Sequence, residues 1–213
     1  MKILFIGNSY TFFHDLPALF QGLARENGRE VTVDSVTQGG RSLWENTERE
    51  DEVAARVREK AKEHWDAVFL QDFSTLPVTD YPLFAHGVKN LTELLDADRF
   101  ILYQTWGRKT GSPTLKEHGW TNAGMTEGLA KAYQRVGREL SIPVSPVGTA
   151  FFALGKSHPE IDLYEPDLTH PSREGSCLAA LVHYRTLFGE PAGQYASLGL
   201  PPETAAALLQ AAE

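Results

Sequence analysis

The sequence has few of the residues and patterns that mark several common protein classes. It has 213 residues and one cysteine, so no internal disulfide can form, which is typical of a reducing compartment. No apolar run approaches the roughly 20 residues that a membrane-spanning helix needs. A strand pattern follows Met1 directly, without the features of a signal peptide. We therefore expect a cytoplasmic protein without a membrane partner.

Positive charge is also scarce. The 20 Lys and Arg residues are outnumbered by 28 Asp and Glu, which gives a net charge of −8 and argues against a nucleic-acid partner. Neither Gly-x-x-x-x-Gly-Lys-[Ser/Thr] nor Gly-x-Gly-x-x-Gly occurs, so no phosphate-binding loop is predicted. The 7 histidines form no His-x-His or His-Glu-x-x-His pair. We expect neither a metal ion nor a cofactor.

What the sequence does contain is an alternation of strand and helix patterns over residues 1–213. Apolar stretches predict strands at 3–6, 31–36, 65–70, 99–104 and 142–147. Apolar residues at helical spacing predict helices at 16–27, 51–64, 82–95, 123–140, 150–154, 173–188 and after Pro201, whereas 107–122 predicts a long loop. No linker divides the chain. We expect one α/β domain, a three-layer α/β/α sandwich with a flavodoxin-like five-stranded parallel sheet in the order 2-1-3-4-5.

A serine follows the first predicted strand. Gly7 and Asn8 are turn residues, so Ser9 lies between a central strand and a helix, at the sheet edge where α/β proteins bind ligands. Serine needs a neighbouring base to act as a nucleophile. Taken alone, the motif is also explained by a serine that only hydrogen-bonds within its own turn.

The segment Asp167-Leu168-Thr169-His170 offers such a base. Its spacing allows Asp167 to accept a hydrogen bond from Nδ1–H of His170, which leaves Nε2 free to take a proton from Ser9. The alternative is a turn aspartate beside an ordinary loop histidine. The predicted position of both segments at one sheet edge favours a nucleophile and its base.

Acyl transfer also needs donors for a developing oxyanion. The candidates are the backbone N–H of Ser9, the N–H of Gly39 or Gly40, and the side-chain amide of Gln71. Each such donor typically stabilises the transition state by about 3–4 kcal/mol. The glycines are also explained by a tight turn, and Gln71 by a capped strand end.

Several larger side chains follow the predicted strands and are candidates for a substrate pocket. Tyr10, Phe73 and Trp106 have aromatic faces that suit a sugar ring. Arg41 and Arg108 are placed to meet a charged substrate. The alternatives are ordinary core or loop aromatics and exposed arginines.

These motifs together resemble the SGNH (GDSL-like) hydrolase superfamily. Gly7-Asn8-Ser9-Tyr10-Thr11 resembles its first block, Gly39-Gly40 its second and Asp167-Leu168-Thr169-His170-Pro171 its last. The third block, usually Gly-x-Asn-Asp, is replaced by Leu70-Gln71-Asp72-Phe73-Ser74. With Tyr-Gln-Thr-Trp after the fourth strand, the pattern is similar to a poorly characterised branch, over roughly residues 1–190.

The resemblance implies a serine esterase in which Ser9, His170 and Asp167 are catalytic and Ser9, Gly40 and Gln71 hold the oxyanion. The implied reaction removes small acyl groups, acetyl foremost, from small esters or acylated carbohydrates through an acyl-enzyme. Two alternatives remain: a non-catalytic small-molecule or sugar-binding module on the same fold, and a nucleophilic Cys177, whose apolar helix face instead favours a buried, inert thiol. Neither the substrate nor the oligomeric state is specified by the sequence.

Overall fold

The chain folds around a five-stranded parallel sheet. A computed structural model describes all residues, 1–213. The strands are β1 (Lys2–Gly7), β2 (Thr32–Thr37), β3 (His64–Trp65), β4 (Ala67–Leu70), β5 (Asp96–Ala97), β6 (Phe100–Tyr103) and β7 (Val144–Ser145). The sheet order is β2-β1-β4-β6-β7, while β3 and β5 form a separate two-stranded sheet. Counted along the chain within the large sheet, this is the predicted flavodoxin-like order 2-1-3-4-5, which is confirmed.

Helices cover both faces of the large sheet, as predicted. They are α1 (Ser9–Phe12), α2 (Leu16–Glu26), α3 (Glu45–Glu48), α4 (Glu52–Lys60), α5 (Leu76–Thr79), α6 (Tyr81–Leu94), α7 (Pro113–His118), α8 (Asn122–Leu140), α9 (Val147–Ser157), α10 (Arg173–Phe188) and α11 (Pro202–Ala211). Two short 3-10 helices span Phe13–Asp15 and Ala196–Leu198. None of the helices has the length and apolar character required to cross a membrane.

The core has two parts because successive residues of a strand point to opposite faces of the sheet. In β1, Phe5 belongs to one cluster with Phe20 of α2, and Leu4 belongs to the other with Phe84 of α6. The rings of Phe5 and Phe69 stack across neighbouring strands with centroids 4.6 Å apart. Residues 3–6 are completely buried, as expected for a central strand covered on both faces.

Several boundaries differ from the sequence prediction. The expected long loop at 107–122 contains α7, which starts with Pro113 and ends at Gly119 in a left-handed conformation. The third predicted strand is divided into β3 and β4, which pair in different sheets. The fifth strand is reduced to β7, because Pro143 and Pro146 on either side of it have no N–H for a sheet ladder.

Candidate active site

The turn after β1 holds Ser9 at the carboxyl edge of the sheet. Ser9 is the first residue of α1, and the Asn8 side chain caps this short helix by accepting a hydrogen bond of 3.1 Å from the N–H of Tyr10. A Cβ atom at Gly7 would lie 2.3 Å from Oγ1 of Thr11 and 2.6 Å from Oε1 of Gln71. Only glycine fits there, so the tight packing of the turn fixes the direction in which Ser9 leaves the strand.

The second half of the site is the loop before α10. Its ends are joined by a bridge between Tyr164 and Pro171, and the N–H of Glu165 donates to the carbonyl of His170 at 2.9 Å. Leu168 adopts a φ of 64°, a left-handed conformation that is unusual for a leucine. This reversal of the chain brings Asp167 back toward the ring of His170.

The structure brings Ser9, His170 and Asp167 together, although Ser9 and His170 are 161 positions apart. Oγ of Ser9 lies 2.9 Å from Nε2 of His170, and Nδ1 of the same ring lies 2.5 Å from Oδ2 of Asp167. The imidazole ring stacks on Phe13 with centroids 4.2 Å apart, and the edge of Tyr10 contacts it from another side. The ring is therefore held in one orientation by its hydrogen bonds and by its neighbours.

The surroundings of Asp167 favour its ionised form, which can orient the ring of His170. Partial burial opposes ionisation, but hydrogen bonds from the His170 ring and from the N–H groups of His170 and Thr169 outweigh it and hold the pKa of Asp167 below its usual value. The two N–H groups share Oδ1 of the carboxylate, each at 2.9 Å. The other oxygen is thus left for the imidazole.

Two backbone N–H groups beside Ser9 have no partner within the protein. Ser9 is the first residue of a helix, so its N–H has no intrahelical acceptor, and no cap or turn bond uses it. The N–H of Gly40 also donates to no other group, and Gly40 has a φ of 70°. Gly40 lines the same cavity as Ser9, whereas Gly39 does not. Of the two glycines, Gly40 is the one placed to donate to a group bound at Ser9.

Gln71, an expected oxyanion donor, makes its contacts behind the serine turn. This side chain is 1% exposed and does not line the cavity. Its Oε1 accepts hydrogen bonds of 2.9 Å from the N–H of Asn8 and from the hydroxyl of Thr11, and its Nε2 donates to the carbonyl of Asp72. All of its polar atoms are engaged in the protein. Gln71 supports the serine turn from behind and lies outside the cavity in which an oxyanion would form.

Two predicted pocket residues also serve other contacts. Arg41 is 5% exposed, and its guanidinium donates to both carboxylate oxygens of Asp51, at 2.6 and 3.0 Å. Trp106 is completely buried, with its ring stacked on Tyr10 and its indole N–H donating to the carbonyl of Thr169 at 3.1 Å. Trp106 therefore braces the histidine loop instead of lining the pocket.

A cavity of about 260 Å³ opens above Ser9 and His170. It is lined by Asn8, Ser9, Tyr10, Gly40, Phe73, Ser74, Arg108, Thr169 and His170. The expectation that Tyr10 and Phe73 border a pocket agrees with this lining. Arg108, expected to meet a charged substrate, is part of this lining. Ser74 and Thr169 were not singled out by their sequence pattern, although Ser74 follows a strand and Thr169 flanks His170. A larger cavity of about 460 Å³, bordered by α9 and α10, contains no serine, cysteine or histidine.

Asp72, in the segment that replaces the usual third block, is a buried carboxyl with an altered acidity. Burial raises its pKa to about 7, against the opposing effect of hydrogen bonds from the N–H groups of Leu43 and Phe73. The 3.0 Å bond to Leu43 connects the end of β4 to the chain just after Gly40. Asp72 thus fixes the position of the glycine loop relative to the sheet.

The remaining candidates for reactive groups do not form a second site. Cys177 is fully buried, and burial raises the pKa of its thiol to about 11, which disfavours the nucleophilic thiolate. A second Ser–His pair, Ser145 and His183 at 2.7 Å, is also fully buried, and burial lowers the pKa of His183 to about 3. No three His, Cys, Asp or Glu side chains are grouped where they could share a metal ion.

Several solved structures have a similar fold. The fold is similar to that of a proposed SGNH hydrolase from Slackia heliotrinireducens, with 29% identity and a TM-score of 0.76 over 88% of this chain and 98% of that chain. A DUF4886 family protein from Bacteroides uniformis is 20% identical, with a TM-score of 0.79 over 100% of this chain and 93% of that one. An acetyl xylan esterase is 15% identical, with a TM-score of 0.62 over 86% and 98% of the two chains.

No family model and no curated protein matches the sequence. The similar structures are described as an SGNH hydrolase, a GDSL-like lipase and an acetyl xylan esterase. The chain is thus similar to SGNH hydrolases and GDSL-like lipases and to a DUF4886 family protein, and this similarity supports a serine ester hydrolase.

Proposed function

We propose that this hydrolase removes small acyl groups, acetyl foremost, from ester substrates by means of Ser9, His170 and Asp167. The observation that carries the proposal is the 2.9 Å separation between Oγ of Ser9 and Nε2 of His170. This distance is within the range of a hydrogen bond along which a proton can be transferred. It occurs in an open cavity, whereas the other Ser–His pair of the chain is sealed in the core.

In the proposed first half of the reaction, Oγ of Ser9 attacks the ester carbonyl carbon while Nε2 of His170 takes the hydroxyl proton. Asp167 stabilises the imidazolium that forms. The carbon–oxygen bond to the alcohol then breaks, and His170 returns the proton to the departing alkoxide. The acyl group is left as an ester on Ser9.

In the second half, water enters beside His170 and gives up a proton to Nε2 as its oxygen attacks the acyl carbon. The bond between Oγ of Ser9 and the acyl carbon breaks, and the proton passes from His170 to the serine oxygen. The carboxylic acid leaves and the free enzyme is restored. Only the ester and water are consumed.

The oxyanion of each tetrahedral intermediate is assigned to the N–H groups of Ser9 and Gly40. Both are unused within the protein, and both residues border the cavity. Donors that are already oriented in a site with little water stabilise a developing charge more strongly than solvent does. This assignment omits Gln71 for the reasons given above.

The size of the cavity favours a short acyl chain. Its volume of about 260 Å³ is shared between the acyl group and the near part of the alcohol. Phe73 and Tyr10 supply aromatic surface in its wall, which suits the face of a sugar ring. One structurally similar protein is described as an acetyl xylan esterase, so acetylated xylo-oligosaccharides are a reasonable first carbohydrate substrate.

The proposal is tested by labelling and turnover together. A fluorophosphonate is expected to add mass to the peptide that contains Ser9 in the wild-type protein and to leave Ser9→Ala unlabelled. The kcat/KM for hydrolysis of p-nitrophenyl esters should fall as the acyl chain is lengthened from acetyl to octanoyl. Wild-type protein that binds acetylated sugars without turnover or label would instead identify a binding module, and the esterase proposal would be wrong.

A further inference from the structure

One end of the active-site cavity carries a positive charge that the protein leaves without an acidic partner. Arg108 follows β6 and lines the cavity with Ser9 and His170. Its Nη2 donates to the hydroxyl of Ser74 at 3.0 Å, and its Nη1 donates to the hydroxyls of Thr114 and Thr169 at 2.7 and 3.3 Å. Every acceptor around this guanidinium is a neutral oxygen.

Arg41 provides a comparison, because it is an arginine whose charge is paired with a carboxylate. Arg41 also follows a strand at the carboxyl edge of the sheet, but its charge is matched by Asp51. Arg108 takes part in no ion pair within 4.0 Å, and it is the only Lys, Arg, Asp or Glu in the cavity lining. A partly buried charge is costly unless it is paired, so an anion entering the cavity would supply the missing partner.

Further donors next to Arg108 are also unused. Nε of Arg108 is buried and has no hydrogen-bond partner, and the hydroxyl of Tyr10 is buried and unpartnered too. Tyr10 is 3% exposed, and burial raises its pKa to about 12 against the opposing effects of Arg108 and Ser74, so its hydroxyl keeps its proton at neutral pH. Ser74 accepts a bond from Arg108 and retains its own O–H as a donor.

We propose that Arg108, Ser74 and Tyr10 form a subsite for a carboxylate of the substrate, so that the preferred esters carry a carboxylate a few atoms from the bond that is cleaved. This inference rests on the esterase function proposed above. A planar guanidinium presents N–H groups in a fork that matches the two oxygens of a carboxylate. A single cation with two neutral hydroxyls suits the single charge of a carboxylate better than the double charge of a phosphate monoester.

The carboxylate can belong to the acyl group or to the alcohol, and two pairs of esters separate these cases. For the acyl side, mono-(4-nitrophenyl) succinate is compared with 4-nitrophenyl butyrate. For the alcohol side, 3-acetoxybenzoate is compared with 3-acetoxybenzamide. In at least one pair, the acid is expected to have the higher kcat/KM in the wild-type protein, and the preferred pair identifies the side that carries the charge.

The decisive measurement is the ratio of kcat/KM for the acid to that for its neutral partner. In Arg108→Met this ratio should fall by about 10- to 100-fold, mainly through KM, as expected for the loss of a charge-assisted hydrogen bond. Arg108→Lys should retain part of the preference because it keeps the charge but not the fork. Lys109→Met is the matched control, since Lys109 is adjacent, pairs with Asp162 and does not line this cavity.

Three results would overturn the inference while leaving the esterase function intact. The first is the absence of a preference for the acid in the wild-type protein. The second is an equal fall in kcat/KM for the acid and the neutral ester in Arg108→Met. The third is a loss of preference in Lys109→Met as large as that in Arg108→Met. An equal fall would assign Arg108 to the oxyanion or to the fold instead.

A binding measurement decides the question without turnover. Calorimetric titration of Ser9→Ala with succinate and with benzoate should detect binding of at least one, and the additional Arg108→Met substitution should weaken it about tenfold or more. Unchanged affinity in the double variant, with an unchanged Tm, would show that the anion does not bind at Arg108. Failure of the esterase proposal is distinguished by the absence of both label on Ser9 and turnover of every ester.

Discussion

The side-chain oxygen of Gln71 accepts a hydrogen bond of 2.9 Å from the backbone N–H of Asn8, the residue immediately before Ser9. The same oxygen accepts a bond from Thr11, on the far side of the serine turn. Gln71 thus ties the end of β4 to both ends of the turn that presents the nucleophile. Its contribution to activity is indirect, through the position of Ser9.

Gln71→Leu is therefore expected to reduce stability as well as activity. It leaves the buried N–H of Asn8 and the hydroxyl of Thr11 without an acceptor, which should lower the free energy of unfolding by about 2–4 kcal/mol. Urea unfolding measures this loss, with Gln134→Leu, an exposed glutamine of α8, as the control. A large fall in kcat with unchanged stability would instead support a direct role in the oxyanion hole.

Removal of the nucleophile or of its base should nearly abolish ester hydrolysis. Ser9→Ala and His170→Ala are each expected to lower kcat by at least about 10³-fold, because neither proton transfer nor attack can proceed without the other. His86→Asn is a control on an exposed histidine of α6 that pairs with Glu48. Substantial kcat in Ser9→Ala would refute the assigned nucleophile.

Asp167→Asn should cost less than the loss of Ser9 or His170. The aspartate orients the imidazole without forming a bond to the substrate, and its side chain is 49% exposed, so water can replace part of its interaction with the ring. We expect kcat to fall by about 10- to 10³-fold, with little change in KM. A loss as complete as that of Ser9→Ala would mean that the orientation of His170 depends entirely on this carboxylate.

The two adjacent glycines offer a matched pair for the oxyanion assignment. Gly40 has a φ of 70°, which costs an alanine about 1 kcal/mol or more, so Gly40→Ala should displace the N–H that we assign to the oxyanion. Gly39 has open space around it and no left-handed φ, so Gly39→Ala should be tolerated. The expected result is a fall in kcat of about tenfold or more for Gly40→Ala alone. Equal effects of the two substitutions would argue against a specific donor at Gly40.

Asp72 predicts a distinct dependence of stability on pH. Its pKa is about 7 in the folded protein, against an ordinary 3.8, so the folded state retains a proton that the unfolded chain releases at lower pH. The penalty for ionising Asp72 is absent below about pH 4 and grows as the pH rises toward 7, by up to about 4 kcal/mol. Asp72→Asn should remove this penalty, so its stability relative to wild type should be higher at pH 8 than at pH 5.

Unfolding of both proteins in urea at pH 5 and pH 8 measures this difference. Glu117→Gln, an exposed residue of α7 without an ion pair, should not change the pH dependence. If the free energy of unfolding changed by the same amount between pH 5 and pH 8 in wild type and in Asp72→Asn, the buried carboxyl would not titrate in this range.

Periodicity and turn residues were sufficient to predict the sheet order and most of the helices. Apolar residues that recur at helical spacing over many residues, as in α8, predict a helix strongly. By contrast, α7 has six residues and begins in a segment rich in Gly, Ser and Pro. The two residues of β3 are too few to establish a pattern of their own. Short elements of this kind depend on tertiary contacts more than on local sequence.

The candidate site was predictable to the level of the sheet edge and no further. Residues after parallel strands meet at one edge, which places Ser9 there. The same rule does not place His170, because α9 separates it from the last strand, β7. The catalytic role of both residues stays a prediction. The direction of each side chain was not predictable, because it depends on distant partners such as Asp51 for Arg41 and Asn8 for Gln71. For the same reason, the unpaired state of Arg108 could be recognised only in the folded structure.

The position of Ser9 in the first turn and of His170 just before α10 has a consequence for biosynthesis. A nascent chain that has emerged only as far as β6 contains the hydroxyl but no base to activate it. The loop that carries His170 leads directly into α10, which packs against α2 in the folded chain. On the proposed mechanism, a growing polypeptide on the ribosome therefore cannot cleave esters with Ser9 until residue 170 has been synthesised.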